Sequence, residues 1–220
     1  MRSLMDTQLD NLHKEVLEMG ALCESAIANA VKAVCNNDMV CAKNAIEYEI
    51  LINKKERDIE DACLKLLLRH QPVAKDLRKI SATLKMITDM ERIGDQARDI
   101  AEISEIVDLS KYKNSCHIKD IGTATIKMVT DSIEAYVKFD LQICCDVIEF
   151  DNVVDDLFEK IKEDIVSLVS EDNTKTLKGM YILMIAKYFE RIGDHATNIA
   201  EWVEFSITGN HKGDDIGWFI

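Results

Sequence analysis

Two short stretches of the chain carry carboxylates at helical spacing. The sequence Glu-Arg-Ile-Gly-Asp occurs at 91–95 and again at 190–194, an offset of 99 residues, and Ile-Ala-Glu follows each copy in the same register. On a helix, side chains four residues apart lie on one face. A row of oxygen atoms on one face is typical of sites for hard cations. The residues on this face are Glu91, Asp95, Asp99 and Glu102 in the first copy, and Glu190, Asp194, Asn198 and Glu201 in the second.

The helix before each copy supplies further oxygen atoms. Asp151 and Asp155 precede the second copy, and an offset of 102 residues matches them to Glu49 and Asn53. In an antiparallel pair, the start of this helix lies beside the end of the motif helix. Carboxylate and amide ligands without sulfur suit Mg²⁺, Ca²⁺, Mn²⁺ or iron rather than a structural zinc. The expected neighbours are Asn198 and Glu201 in the second half, and Asp99 and Glu102 in the first.

The repeated acidic face has two interpretations, a metal site or a solvated surface. Like charges four residues apart destabilise a helix by about 0.2–0.5 kcal/mol per pair. A mid-helix glycine, present as Gly94 and Gly193, costs about 1 kcal/mol against alanine and suggests a close approach to the backbone. A bound cation would offset the repulsion. Arg98 lies on the same face and could neutralise it by ion pairing, whereas the second copy has Thr197, so the residues leave both interpretations open and favour a metal in the second half.

Catalytic motifs are absent from the sequence. His195 follows Asp194 and points about 100° away from it, which indicates a capping, packing or surface role rather than a ligand. The chain has no Glu-x-x-His pair, Walker loop, His-Glu-x-x-His or Gly-x-Ser-x-Gly. Because no nucleophile stands with a base, we predict that the protein is not an enzyme.

Long helices must position these residues. The chain has one proline and eight glycines, and apolar residues such as Ile185, Phe189, Ile192 and Ala196 recur at steps of three and four. Turn residues at Asn36–Asp38, His70–Pro72, 111–115, Asp140 and Glu171–Thr174 separate the periodic segments. We therefore predict an all-α protein with six long antiparallel helices, at 4–35, 38–69, 73–108, 116–138, 140–170 and 173–207.

The internal repeat predicts two tandem, homologous three-helix bundles. The apolar residues on each motif helix recur at the offset of 99, so the same stripe is expected to fill two cores. The first bundle is expected at 1–110 and the second at 113–208. The remainder, 209–220, is expected to be a flexible tail or to dock its aromatic end.

Composition narrows the classes of partner. The net charge of −13 repels phosphate backbones, which excludes nucleic acid as a partner and requires a cation between this chain and phosphate. The first residues contain no apolar signal region, and the apolar run at 180–186 is too short to span a membrane. Seven scattered cysteines suit a reducing compartment. We expect a cytoplasmic protein.

The duplicated motif, together with Gln71-Pro72-Val73-Ala74, resembles the PhoU family of regulators of bacterial phosphate uptake. The resemblance covers about 5–208 and implies two three-helix repeats, each with a Glu/Asp-x-x-x-Asp motif on its third helix. It implies iron or another divalent metal (Fe, Mn, Mg or Zn) in clusters on the bundle surface. Carried over to this sequence, the ligands are Glu91, Asp95, Asp99, Glu102, Asp151, Asp155, Glu190, Asp194, Asn198 and Glu201.

The resemblance also implies a role. Members of the family restrain phosphate uptake and phosphate-starvation signalling, through the ATPase subunit of the phosphate ABC transporter and a membrane sensor histidine kinase. Membrane association would occur only through these partners, and homodimer formation is left open. Two alternatives remain: a metal-free helical scaffold serving another phosphate transporter, and, with the least support, a metal-dependent oxidase or phosphohydrolase.

Overall fold

The computed structural model describes residues 4–210, which form six α-helices and no strand. Two short 3₁₀ turns, Ser110–Tyr112 and Asn173–Lys175, precede the fourth and sixth helices. The predicted all-α class is confirmed, and each helix begins and ends within three residues of its predicted bounds. The helices are α1 (Leu4–Asn36), α2 (Met39–His70), α3 (Ala74–Ile106), α4 (Ile118–Lys138), α5 (Leu141–Glu171) and α6 (Thr176–Thr208).

Local capping explains where several helices begin and end. Asp38 caps α2, where its carboxylate accepts hydrogen bonds from the backbone N–H groups of Val40 (2.9 Å) and Cys41 (3.1 Å). Asp140 caps α5 in the same way. Such caps satisfy backbone donors that have no partner within the helix. Gly209 ends α6 with φ of 82°, a left-handed conformation that glycine adopts without strain.

The helices form two antiparallel three-helix bundles. The first comprises α1, α2 and α3, and the second comprises α4, α5 and α6. Each core is filled by fully buried aliphatic side chains, for example Ile52 and Ile93 in the first bundle and Val154 and Ile192 in the second. The bundles meet where α3 packs along α6 and α1 packs against α4. The predicted tail lies outside the described residues from 211 onwards.

The contact between α1 and α4 is symmetric about an approximate two-fold axis. Gly20 of α1 faces Ile133 of α4, while Gly122 of α4 faces Val31 of α1. Gly122 follows Gly20 by the same 102 residues that separate Ile133 from Val31. The repeat offset seen in the sequence therefore relates the two sides of this interface. Along residues 4–210, none of the helices has an apolar stretch long enough to cross a membrane.

Candidate metal centre

The first-half carboxylates surround Arg98. The guanidinium Nη1 lies 3.0 Å from Glu49 Oε1 on α2 and 3.3 Å from Asp95 Oδ1, and Nη2 lies 3.0 Å from Asp99 Oδ1. Nε lies 3.6 Å from Glu102 Oε1. Burial alone would lower the pKa of Arg98, but the hydrogen bond to Asp99 and the charges of Asp95, Asp99 and Glu49 raise it. Arg98 therefore pairs with Glu102, as expected, and also with Glu49, Asp95 and Asp99, whereas Glu91 pairs with Arg92.

Glu91, the first residue of the motif, lies at the edge of this cluster. Its side chain is 19% exposed and pairs with Arg92 at 3.4 Å. Burial, followed by the charge of Asp95, raises the pKa of the Glu91 carboxyl. Arg92 also approaches Asp95 at 3.4 Å, from the solvent side. Two arginines therefore meet the first-half carboxylates, one inside the cluster and one outside it.

The mid-helix glycines face side chains of a neighbouring helix. A Cβ atom placed on Gly94 would lie 3.0 Å from Cδ1 of Ile52 on α2. A Cβ atom on Gly193 would lie 3.4 Å from both Cγ1 of Val154 and Oδ1 of Asp151 on α5. Val154 is the repeat equivalent of Ile52. The predicted close approach is present at Gly94, where the approaching group is Ile52 of the preceding helix, whereas the neighbours of Gly193 lie at ordinary van der Waals distance.

The second-half carboxylates gather between α5 and α6. Asp151 lies beside Gly193, and the pKa of Asp194 is raised by burial first, then by the charge of Glu190, with a contribution from Asp155. Glu190 is 15% exposed and accepts a hydrogen bond from Lys187 Nζ at 2.6 Å. A raised carboxyl pKa means that the negative charge on Asp194 is poorly compensated within the protein.

Position 197 distinguishes the two halves. Thr197 occupies the repeat position of Arg98, and its Oγ1 is buried without a hydrogen-bond partner in the described part of the chain. No guanidinium therefore enters the second cluster from that position, and an oxygen atom stands there instead. The second half fits a divalent cation in its donor chemistry, whereas the first half already contains a cation.

Not every polar residue on the motif face of α6 points to solvent. The Asn198 amide donates a hydrogen bond to Asp89 Oδ1 on α3 at 3.1 Å, and His195 Nδ1 lies 2.9 Å from the same oxygen. Asn198 thus lies in the contact between the bundles, because α6 packs along α3. The predicted packing role of His195 agrees with this position. Glu201 lies seven residues beyond Asp194, roughly 10 Å further along the helix.

A matching contact lies at the other end of the same helix pair. Burial, followed by the charge of Asp99, raises the pKa of Tyr188, whose hydroxyl forms a hydrogen bond with Asp99. Tyr188 is the repeat equivalent of Asp89, and Asn198 that of Asp99. Sequence reasoning missed Asp89 and Tyr188 because the repeat places different residue types at this position. The signal available was their position on the motif helix, two residues before each glutamate.

The acidic side chains of the described residues do not form a complete metal-binding group. Among residues 4–210, no three His, Cys, Asp or Glu side chains form a group that could hold a metal. Asp151 on α5 lies beside Gly193 of α6, and Glu190 and Asp194 lie one turn apart on α6. The metal ligands inferred from the sequence remain a prediction.

A family model describes most of the chain. The model for the PhoU domain matches twice, at residues 16–104 and 118–203. The two matches contain the first and second copies of the motif. The duplication inferred from the sequence is therefore the duplication of a known domain.

Curated relatives and solved structures match nearly the whole chain. A phosphate-specific transport system accessory protein PhoU homolog from Clostridium acetobutylicum is 34% identical over 94% of this chain and 96% of its own length. The Escherichia coli PhoU accessory protein is 29% identical over 96% and 89%. The crystal structure of Pseudomonas aeruginosa PhoU has a TM-score of 0.85 and 31% identity, covering 93% of this chain and 99% of that one. Streptococcus pneumoniae PhoU, at 23% identity and a TM-score of 0.87 over 94% and 99%, shares the fold.

Proposed function

Because this chain belongs to the PhoU family, we propose that it is an accessory protein of a phosphate-specific transport system that restrains phosphate uptake and phosphate-starvation signalling. The support is the family match over both repeats and the similarity to transport-system accessory proteins. The ATPase subunit of the phosphate transporter and a membrane sensor histidine kinase are the partners that we propose. The protein works by binding them, not by catalysis.

A divalent cation at the second half is the second part of the proposal. The observation that carries it is the cluster of Asp151, Asp155, Glu190 and Asp194, in which burial and neighbouring negative charge raise the pKa of Asp194. These residues would hold the ion through carboxylate oxygens, which suit iron, Mn²⁺ or Mg²⁺. When bound, the ion supplies positive charge and open coordination positions on a chain with a net charge of −13.

The role of this chain in the complex is to hold that charge on a rigid surface. Glu190 and Asp194 stand one turn apart on α6, and Asp151 of α5 lies beside Gly193, which stands between them. Two long helices therefore fix the spacing of the carboxylates. A partner that presents phosphate or carboxylate groups would meet the ion there, whereas the protein surface alone would repel it.

Metal content tests the binding site directly. Protein purified without added metal or affinity chelation is analysed for elements before and after EDTA treatment, as wild type and as Glu190→Ala/Asp194→Ala. We expect a divalent metal or iron in wild type and its loss in the variant. The control, Glu159→Ala/Glu163→Ala, removes two carboxylates of the same spacing from α5 and should keep the metal. Metal-free wild type that takes up none on titration would refute the site.

Repression in cells tests the regulatory role. A strain without its own homologue carries wild type or Glu190→Ala/Asp194→Ala at matched protein levels, and phosphate uptake and a phosphate-starvation promoter are measured in high phosphate. We expect wild type to repress both and the variant to lose repression. Full repression by a variant that has lost its metal would support the metal-free scaffold instead.

Binding and turnover assays separate the remaining alternatives. Purified ATPase subunit should bind wild type more tightly with Mn²⁺ than after EDTA treatment. Equal binding in both conditions would again favour a metal-free scaffold. Hydrolysis of phosphate esters with Mn²⁺, or oxygen consumption with iron, would contradict the non-catalytic role.

A further inference from the structure

Arg98 is enclosed by carboxylates from two helices. Its guanidinium contacts Glu49 at 3.0 Å, Asp95 at 3.3 Å and Asp99 at 3.0 Å. With Glu102 at 3.6 Å, all three guanidinium nitrogens point at carboxylates. A guanidinium has five N–H donors in a fixed plane, which suits it to several acceptors at once.

The buried carboxylate of Glu49 requires the positive charge of the Arg98 guanidinium. The Glu49 side chain is 8% exposed, and its Oε1 accepts hydrogen bonds from Arg98 Nη1 at 3.0 Å and from Asn53 Nδ2 at 2.7 Å. Asn53 is neutral, so Arg98 is the positive group that these contacts bring to this carboxylate. A buried carboxylate without a positive partner is strongly unfavourable.

The second half differs at both of these positions. Thr197 replaces Arg98, and Asp155 replaces Asn53. Because Asn198 replaces Asp99, the second cluster has as many carboxylates as the first, and it has no guanidinium at the position of Arg98. Lys187, which contacts Glu190 there, is 50% exposed and reaches the cluster from the solvent side.

We infer that Arg98 is the built-in cation of the first half, in place of the metal predicted at Glu91, Asp95, Asp99 and Glu102. The two repeats keep the same acidic framework and neutralise it differently. In the first repeat the Arg98 guanidinium neutralises the carboxylates, and in the second repeat a divalent cation can bind to them. A metal ion cannot occupy the first cluster while the guanidinium remains at its centre, because two positive charges would share the same oxygens. This inference deepens the proposed function and rests on it for the second half only.

The experiment removes the guanidinium in a background without the second site. Mn²⁺ binding is measured by calorimetry and elemental analysis on Glu190→Ala/Asp194→Ala with Arg98, and on the same variant carrying Arg98→Thr, which copies Thr197. We expect no Mn²⁺ site in the first protein and a new site in the second. The apparent Mn²⁺ affinity should therefore be at least about tenfold higher in the protein that carries Arg98→Thr. Circular dichroism checks that both remain helical.

A matched control separates the effect of the Arg98 guanidinium from the effect of removing any nearby positive charge. Arg92→Thr, in the same background, removes an arginine that also contacts Asp95 but is 54% exposed. It should create no Mn²⁺ site. If Arg98→Thr does not fold, Arg98→Gln replaces it. The reciprocal Thr197→Arg, in otherwise wild-type protein, should lower Mn²⁺ affinity of the second half at least about tenfold.

The outcomes distinguish this inference from the proposed function. Mn²⁺ binding to the first half with Arg98 present, or none after Arg98 is removed, would overturn the inference and leave the second-half site standing. A wild type that binds no Mn²⁺ would refute the second-half site, while a gain on Arg98→Thr would still support the inference. Unchanged binding in Thr197→Arg would also count against it.

Discussion

The Asn198 amide on α6 donates a hydrogen bond to the Asp89 carboxylate on α3, and this contact joins the two bundles at 3.1 Å. His195 reaches the same carboxylate oxygen at 2.9 Å. At the other end of the helix pair, the repeat-equivalent residues Tyr188 and Asp99 form the matching contact. The bundles are therefore joined through residues that also flank the two acidic clusters.

Replacing Asp89 with alanine should destabilise the protein by about 1–3 kcal/mol, because His195 and Asn198 would lose a shared acceptor in a largely buried position. The measurement is urea unfolding followed by circular dichroism. The control is Asp61→Ala, which removes a carboxylate that is 71% exposed and pairs with Lys65 at 3.8 Å. This variant should change the unfolding free energy by less than about 0.5 kcal/mol. Equal effects of the two changes would show that the Asp89 contact does not stabilise the fold.

Replacing Tyr188 with phenylalanine should have a smaller effect, about 0.5–1.5 kcal/mol. The ring remains packed, and Asp99 keeps its hydrogen bond to Arg98 at 3.0 Å, so only one of its partners is lost. The same urea experiment measures it. A loss as large as that of Asp89→Ala would mean that Arg98 does not support Asp99 on its own.

Alanine at Gly122 should destabilise the protein by about 1–3 kcal/mol. The new Cβ would lie 2.6 Å from Cγ2 of Val31 on α1, and a β-branched side chain cannot turn away easily. Alanine at Gly193 is the matched change, since its contacts would be an ordinary 3.4 Å or more. The gain in helix propensity should there stabilise the protein by about 0.5–1 kcal/mol. Thermal unfolding of both variants checks the difference, and a stabilising Gly122→Ala would contradict the close packing of α1 on α4.

Most of the fold was predictable because its signals are local. Asp38 and Asp140 cap helices that begin at the next residue, and both lie at breaks chosen from turn chemistry. The contact between the bundles was not predicted. Its α1–α4 part depends on Gly20 and Gly122, which match at the repeat offset of 102 but lie outside the repeated motif.

For the candidate site, the sequence predicted which residues share a helix face but not which partners their side chains contact. Helical spacing placed Arg98 on the face of the first-half carboxylates, and the structure shows it bonded there. The same spacing placed Asn198 among the metal ligands, yet its amide donates to Asp89. Periodicity tells which residues share a face. It does not tell which other helix covers that face, and α3 covers this part of α6.

Asparagine at Asp194 should stabilise the metal-free protein at neutral pH. Burial and the charge of Glu190 raise the pKa of Asp194 above its ordinary value of 3.8, so the folded state binds this proton more tightly than the unfolded state. The charged carboxylate therefore costs stability at pH values above 3.8. The advantage of Asp194→Asn should be full at pH 7 and disappear as the pH falls through the raised pKa to 3.8. Urea midpoints measured in EDTA across this range test it.

The control for this pH dependence has the opposite sign. The hydrogen bond from the Cys41 backbone lowers the pKa of Asp38, so its charge adds stability at neutral pH that is lost as the pH falls through that lowered pKa. Asp38→Asn keeps a capping oxygen and should be less stable than wild type at pH 7. Adding Mn²⁺ should reverse the order for Asp194 alone, since wild type gains from the bound ion and Asp194→Asn gains less. An Asp194→Asn advantage that persists in Mn²⁺ would place the cation elsewhere.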